Sequence, residues 1–525
     1  MLGVTAWPHR GTFGHTSAVM ADLTLPRPRP LGRLRLARPL EATGVMLLLA
    51  LAGLLRWLRL DTYTGSFDEG IRSQQLLLMA AGYRPFTDIF ASQGPLLLDL
   101  LYPPFLLFGQ TLEAARSGVA LLSMIGLVGA WLVARLVAGP IAGLAVIGLL
   151  LLSPGYLEGS RLALAEVPTI APALLAIVTL LLYRRMHDRR WLVVSAACCA
   201  LALLIKPMVV HVGVPLLVLL VASDRSVRRV AVDVALYGAV VGVLCGVTIL
   251  ALGPADVWDN LGAYRSGAGR RVGSELAENL RLTANVLARE RLGFFALACV
   301  GMLLGLRRRP VETAALGLWA AAVLVFFAGY TDLADKHIVY VVPPLALLGA
   351  IGVGLTVELL RDARTAHAAP RGRLATWGGA GLGALGLVIY ATQVPRLYLA
   401  DHFLIFDAEK VAIQRRDRPR ELDMAESMRA AAAPGDWVLS DDPNAAFRAR
   451  RLVIPSLVDT SGTRVDAGSL TSAKASEAVA QYQPAVIVTW RGRLGRLDDF
   501  VRGLPAQGYR HDRAYQNGWN LYVRE

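Results

Sequence analysis

The sequence predicts a polytopic α-helical membrane protein carrying a small exterior α/β domain, and three observations lead there. Of its 525 residues, 55% are hydrophobic and only 18% charged, with a mean hydropathy of +0.48, more apolar material than a soluble core needs. Eleven apolar runs, near 42–59, 117–137, 140–153, 162–182, 191–205, 208–222, 230–252, 293–306, 311–329, 338–359 and 374–393, approach the roughly 20 residues that cross a bilayer. After about residue 394 the composition changes to that of a soluble domain.

Taken in chain order, residues 1–40 lack an apolar core and carry RPRPLGRLRLARP, which reads as a disordered cytoplasmic tail rather than a cleaved signal peptide. The module of spans then covers 41–394. Its third, fifth, sixth and eighth runs are short, as tilted, broken or re-entrant helices are. The formal charge of +14 is spread along the chain rather than gathered into a nucleic-acid patch. Its basic loops are the tail, YRRMHDRR at 183–190, SDRSVRR at 223–229, RRRP at 307–310 and RDARTAHAAPRGR at 361–373. With the N-terminus inside, every one of these falls on the cytoplasmic side. Loops 60–116 and 253–292, and the segment 395–525, then lie outside. That last segment alternates helical ELDMAESMRAAAA, strand-like DWVLSDD, the helix-to-strand passage ASEAVAQYQPAVIVTW and strand-like GWNLYV. At roughly 125 residues it is large enough to hold its own core. Cys198, Cys199, Cys245 and Cys299 all sit in apolar runs, where helix packing explains them better than disulfides or metal.

The chemistry concentrates in the first exterior loop. GSFDEGIR at 65–72 places Asp68 and Glu69 beside the membrane surface. Ser66 can cap a helix with Glu69 at the capping-box position, a structural use that competes with a catalytic one for Glu69. Asp68 reads as a general base toward a hydroxyl, with its neighbour orienting the site. The loop continues AAGYRPFTDIFASQGPLLLDLLYPPFLLFG, whose interrupted apolar stretches suit helices lying in the interface plane.

These residues carry a resemblance. FDEGIRSQQLLLMAAGYRPFTDIFASQGPLLLDLLYPPFLLFG is similar to the first exterior loop of the GT-C fold glycosyltransferases that use polyprenyl-phosphate sugars, in the branch of protein O-mannosyltransferases and aminoarabinose transferases. The matching elements are Asp68-Glu69, Gly82, Pro85-Phe86, Asp88, Pro95-Leu96 and Phe108-Gly109, with weaker similarity at 160–177, 203–207 and 336–352. The resemblance implies an inverting transfer of a monosaccharide from a polyprenyl-phosphate carrier to an acceptor hydroxyl of a glycan, a lipid or a protein on the extracytoplasmic face. Asp68 would deprotonate the acceptor. Because a lipid phosphate is already a good leaving group, the protein must supply mainly a base, alignment and cations.

The expected substrate-binding set is Asp88, Gln93, Arg161, Glu166, Lys206, Lys336, His337 and Tyr340. Lys206 is either a snorkelling lysine or a phosphate ligand. His337 and Tyr340 lie one helical turn apart and either face a cavity or pack a helix end. Arg161 and Glu166 read first as an ordinary surface pair. The family commonly has a lysine before its P-L element, where this chain has Gln93 and Gly94, which shifts weight to Lys206, Arg72, Arg84 or the second exterior loop with Arg265, Arg270 and Arg271. No cofactor or metal is expected.

Other signals are set aside. GLGALG at 381–386 has no βαβ context, SDDPN at 440–444 reads as an Asx turn, and His187 and His367 are solvated loop residues. No Walker A, HExxH or nucleophile elbow occurs. The rival reading is a lipid-carrier flippase without transferase activity, which would also want polar groups along a membrane cavity.

Overall fold

The computed structural model describes residues 39–61, 65–222, 226–263, 266, 276–365, 370–399, 402–403 and 406–525. The expected N-terminal tail up to residue 38, and Arg265, Arg270, Arg271 and His367, lie outside the described residues. Each of the eleven apolar runs is helical. In chain order the first ten helices are α1 (Pro39–Trp57), α2 (Phe67–Ala80), α3 (Leu96–Leu107), α4 (Leu112–Ala138), α5 (Pro140–Leu151), α6 (Pro154–Gly159), α7 (Glu166–Met186), α8 (Arg189–Ile205), α9 (Gly213–Val221) and α10 (Val227–Leu252). The remaining apolar runs form Arg291–Arg308, Pro310–Ala328, Val342–Thr365 and Pro370–Leu399. Among the described residues, six helical segments are long and apolar enough to cross a membrane.

Boundaries follow local chemistry. The Thr111 side chain caps α4 by accepting from Ala114 N at 3.1 Å. Gly139, at φ +87°, then turns the chain, and Pro140 opens α5 at the position where a missing N–H costs nothing. The run expected at 162–182 begins four residues later because backbone near Ala163 is engaged elsewhere, and the run expected from 338 begins at Val342 after a 3₁₀ turn over Asp335–Val341.

Helix α7 is the buried axis of the bundle, packing on α4 and α8. Around it Leu174, Ile177, Leu297, Trp319, Phe327 and Ile351 fill a continuous core. Peripheral helices α1 and α10 instead expose Leu47, Leu54, Val243 and Val247, apolar side chains that only a lipid environment satisfies. Arginines of the basic loops knit one face of the bundle. Arg184 donates to the carbonyls of Leu219 and Ala222, Arg185 to that of Leu136, and Arg309 to that of Val137.

The soluble part is a five-stranded sheet in the order Leu452–Val453, Trp437–Ser440, Val486–Trp490, Trp519–Arg524, Tyr509–Tyr515, the first three parallel and the last two antiparallel to their neighbours. Alternation divides its side chains between two cores. Leu439, Ile487 and Tyr522 pack under the helices Ser472–Tyr482 and Asp498–Gly503. Val438, Val486 and Leu521 face the other way, and that core also contains Ile71, Leu78, Ile89 and Phe90 of the first loop.

The sheet domain is therefore seated on α2. Asn444 Nδ2 donates to the carbonyls of Gly65 and Ser66 at 2.8 and 3.0 Å, and Gln74 Nε2 donates to Arg451 O at 3.0 Å. The approach is so close that a Cβ on Gly70 would stand 2.8 Å from Asn444 N. Gly70→Ala is expected to lower stability by roughly 1–3 kcal/mol through overpacking, measured by thermal unfolding. Adding Asn444→Ala should not relieve it, since the nearest clashing atom is backbone.

Candidate functional site

Helix α2 starts where the sequence asks it to. Ser66 Oγ accepts from Glu69 N at 3.3 Å, and Glu69 Oε2 accepts in return from Ser66 N at 3.1 Å, a complete capping box. Glu69 is fully buried and also takes Arg116 Nε at 2.8 Å and Nη2 at 2.9 Å, together with Ala163 N at 2.8 Å. Its oxygens thus bind α2, α4 and the approach to α7 to one another, which fixes the direction of the neighbouring Asp68.

Asp68 opens onto a cavity of about 690 Å³ between the bundle and the sheet domain. Its carboxylate is 36% exposed and is paired with Lys336, itself 27% exposed. Burial alone would raise its pKa, but the charge and hydrogen bond of Lys336, then Arg72, outweigh that and hold the carboxyl below the usual aspartate range. A group held ionised in this way is ready to accept a proton.

One side of the cavity is apolar, lined by Leu162, Leu164, Leu287, Ile338, Val339 and Val342. Arg289 and Glu290 stand on the same wall. Glu290 Oε1 accepts from Ser153 Oγ at 2.8 Å and Gly155 N at 3.3 Å. Burial nevertheless pushes its carboxyl up to about 7.

Of the residues expected from the sequence, the fold brings Asp68, Glu69, Glu166 and Lys336 to this cavity. Lys206 and His337 lie behind it. Lys206 Nζ pairs with Glu166 Oε1, and His337 Nε2 stands 3.5 Å from the same oxygen. Tyr340 is fully buried, edge-on to His211 with centroids 5.1 Å apart. The expected Arg161–Glu166 surface pair is not formed. Arg161 is 3% exposed and donates to the carbonyls of Leu55, Arg56, Leu58 and Arg59, the end of α1 where peptide dipoles leave negative charge. Asp88 lies apart from the cavity, accepting from Arg84 N at 2.8 Å and pairing with Arg84 Nε at 3.6 Å. Gln93 does not line it either. At Gly94 a Cβ would fall 2.2 Å from Leu204 O, so this stretch is pressed against the end of α8 and has no room for a longer side chain at that position.

The opposite wall comes from the sheet domain and was not singled out from sequence. Asp441 and Asp442 follow the strand Trp437–Ser440, and Arg493 follows the parallel strand Val486–Trp490. Asp442 does form the expected turn, capping the helix Pro443–Ala449 through Ala445 N at 3.1 Å, and it also pairs with Arg420 at 3.1 Å. Asp441 Oδ2 accepts from Trp490 N at 2.6 Å and Leu494 N at 3.0 Å. The Arg493 guanidinium lies 3.4 Å from the centre of the Phe67 ring, next to Asp68 in sequence. The signal that could have found this wall is topological. The loop after the first strand leads to one edge of the sheet and the loop after the second to the other, and open α/β sheets bind ligands at such a divergence. Among the described residues, no group of three or more His, Cys, Asp or Glu side chains is arranged to hold a metal ion.

The family model "Dolichyl-phosphate-mannose-protein mannosyltransferase" matches residues 94–251. The structure of ArnT from Cupriavidus metallidurans bound to undecaprenyl phosphate superposes with a TM-score of 0.63 at 18% identity, covering 92% of this chain and 98% of that one. Its apo state gives 0.62 at 19% identity with the same coverage. The archaeal oligosaccharyltransferase AglB from Archaeoglobus fulgidus, in complex with an inhibitory peptide and a dolichol-phosphate, gives 0.54 at 14% identity, covering 93% of this chain and 74% of that one. No curated protein sequence matches the chain. At these identities the likeness is one of fold: the chain has the expected GT-C fold, a multi-pass helical membrane module with a small sheet domain.

The raised carboxyl of Glu290 has a consequence for stability. Its folded pKa of about 7 exceeds the ordinary 4.5, so its contribution is full below about 4.5 and is lost as pH rises through about 7. Glu290→Gln, which keeps an acceptor for Ser153 and Gly155 but cannot ionise, should be more stable than the wild type at pH 8 by roughly 1–3 kcal/mol. Thermal unfolding between pH 5 and 8 reads the difference, and equal slopes for the two proteins would refute it.

Proposed function

We propose that the chain is an integral-membrane glycosyltransferase that moves a monosaccharide from a polyprenyl-phosphate carrier to an acceptor hydroxyl, with inversion at the anomeric carbon. The observation that carries this reading is the ionised Asp68 at the meeting point of an apolar wall, suited to the first isoprene units, and a polar wall, suited to sugar and acceptor. Asp68 takes the proton of the acceptor hydroxyl as its oxygen attacks the anomeric carbon. The bond from that carbon to the phosphate oxygen breaks, and polyprenyl phosphate leaves with the bonding electrons. Of the cations that line the cavity, Lys336, paired with Asp68, and Arg289, on the apolar wall, are the ones on the bundle side that can steady the departing phosphate. Glu69 acts by holding Asp68 in place, and the Lys206–Glu166–His337 group by supporting the wall that Lys336 shares.

The ligands named for the structural neighbours, undecaprenyl phosphate for ArnT and a dolichol-phosphate for AglB, support this donor class. The distribution of arginine supports a cytoplasmic N-terminus, which puts the cavity and the domain at 395–525 on the extracytoplasmic side.

Two measurements test the proposal. Asp68→Asn should lose roughly 10²–10⁴-fold in transfer rate, the usual worth of a positioned base, while still binding undecaprenyl phosphate; undiminished transfer by a folded variant would remove Asp68 from the mechanism. Lys336→Gln should let the Asp68 pKa rise, because the cation that lowers it is gone. The fall in rate on the acid side should then begin at a higher pH than in the wild type. A pH profile that only scales down, without moving, would show that Lys336 does not set the protonation of Asp68.

A further inference from the structure

We infer that Glu290 is a ligand of the donor's phosphate, acting from the apolar wall beside Arg289 as an uncharged acid that donates a hydrogen bond. The inference rests on reading the cavity as a site of glycosyl transfer from a polyprenyl-phosphate donor, and it adds a binding residue to that reading.

The placing of the carboxyl comes first. Glu290 closes the 3₁₀ turn Ala288–Glu290, and Arg291 after it is held at φ +65°, a conformation that residues other than glycine adopt only where their surroundings impose it. The turn sets Arg289 and Glu290 on the cavity wall directly after Val286 and Leu287, which line it as well. Oε1 is committed. Ser153 Oγ, which accepts from Tyr156 N at 3.2 Å, donates to it at 2.8 Å, and Gly155 N donates at 3.3 Å. Oε2 takes no hydrogen bond among the described residues and is not sealed from the cavity.

Burial then decides where the proton sits. Glu290 is 4% exposed and has no ion-pair partner among the described residues, so its charged form lacks both water and a bonded cation. The charge of Arg289 lowers the carboxyl by less than burial raises it, and the balance stands at about 7. Of the other titratable groups on elements packed around the turn, Tyr156 and Glu158 stand on α6, Arg291 opens the following helix, and Tyr390 approaches from the helix Pro370–Leu399. Because Oε1 already receives two donors, the proton of the neutral acid resides on Oε2 and points into the cavity.

The surroundings name the ligand. Among the described residues, the other cations lining the cavity are occupied: Lys336 by Asp68, Arg416 by Asp417, Arg420 by Asp442, and Arg493 by the carbonyl of Asp441. Arg289 has no side-chain partner among them. An unoccupied guanidinium and an outward-pointing acid proton, set in a wall of leucine and valine, fit an anion whose body is hydrocarbon, which is a phosphate on an isoprenoid chain. An ionised carboxylate in the same place would repel it.

The test measures binding of a synthetic undecaprenyl methyl phosphodiester, which keeps a single negative charge throughout, to the full chain in nanodiscs of neutral lipid between pH 6 and 8. Wild-type affinity should fall about tenfold over that range, since only the protonated acid donates. Glu290→Gln keeps an acceptor toward Ser153 and Gly155 and a permanent N–H toward the cavity, so it should match the wild type at pH 6 and stay level to pH 8. Arg289→Gln should bind about tenfold more weakly at pH 6, and its fall should begin at a higher pH, because the charge that lowers Glu290 is gone. Asp441→Asn removes the other carboxyl on the cavity that burial holds at about 7, and this variant should still show the fall. Wild-type binding that is level with pH, a fall that survives in Glu290→Gln, or one that disappears in Asp441→Asn would overturn the inference and leave the donor reading standing. A wild type that binds no phosphodiester at either pH would strike the donor reading itself, and this inference with it.

Discussion

The buried ion pair between Glu69 and Arg116 is the constraint on which the site depends. Both side chains are 1% exposed, so neither charge can be left without the other except at a cost of about 3–5 kcal/mol. Because the same carboxylate closes the capping box of α2 and receives Ala163 N, the start of α2, the first turns of α4 and the approach to α7 are held in one register. Asp68 inherits its place from its neighbour. An exposed acid one residue further on would be free to choose its rotamer; this one is aimed.

From that fixed point the cavity divides its labour between two environments. The bundle contributes the apolar side, with Arg289 beside it, and Lys336 at Asp68. The sheet domain contributes paired charges and aromatic rings, which a water-borne partner can meet. Arg493 touches both regimes, stacked on Phe67 of the first loop while hydrogen-bonded within its own domain. The two halves of the protein meet at the carboxylate that would act on both substrates.

Much of the fold is legible in the sequence because apolar length is a local property. Every apolar run became a helix, the capping box at Ser66 is present as its spacing suggests, and the strand-like segments DWVLSDD, AVIVTW and GWNLYV became three adjacent strands. What sequence could not supply is who faces whom. Glu166 finds Lys206 and His337 rather than the nearby Arg161, because Arg161 is drawn to the carbonyls at the end of α1. Asp441 and Asp442 look like an isolated turn until a sheet brings Val438 beside Val486 and the two following loops together. The core shared by Ile71 and Val438 is likewise invisible, since it joins segments more than 350 residues apart that each appear self-sufficient.

The seating of Asn444 on Gly65 and Ser66 joins positions separated by 378 to 379 residues, and Trp519 closes the same cavity from later still. During synthesis the carboxylate at 68 is made early and waits, without its far wall, while the spans, then the strands, emerge. A chain that stops before Trp519 lacks that far wall, so the surroundings of position 68 are complete only once the last strand has been made.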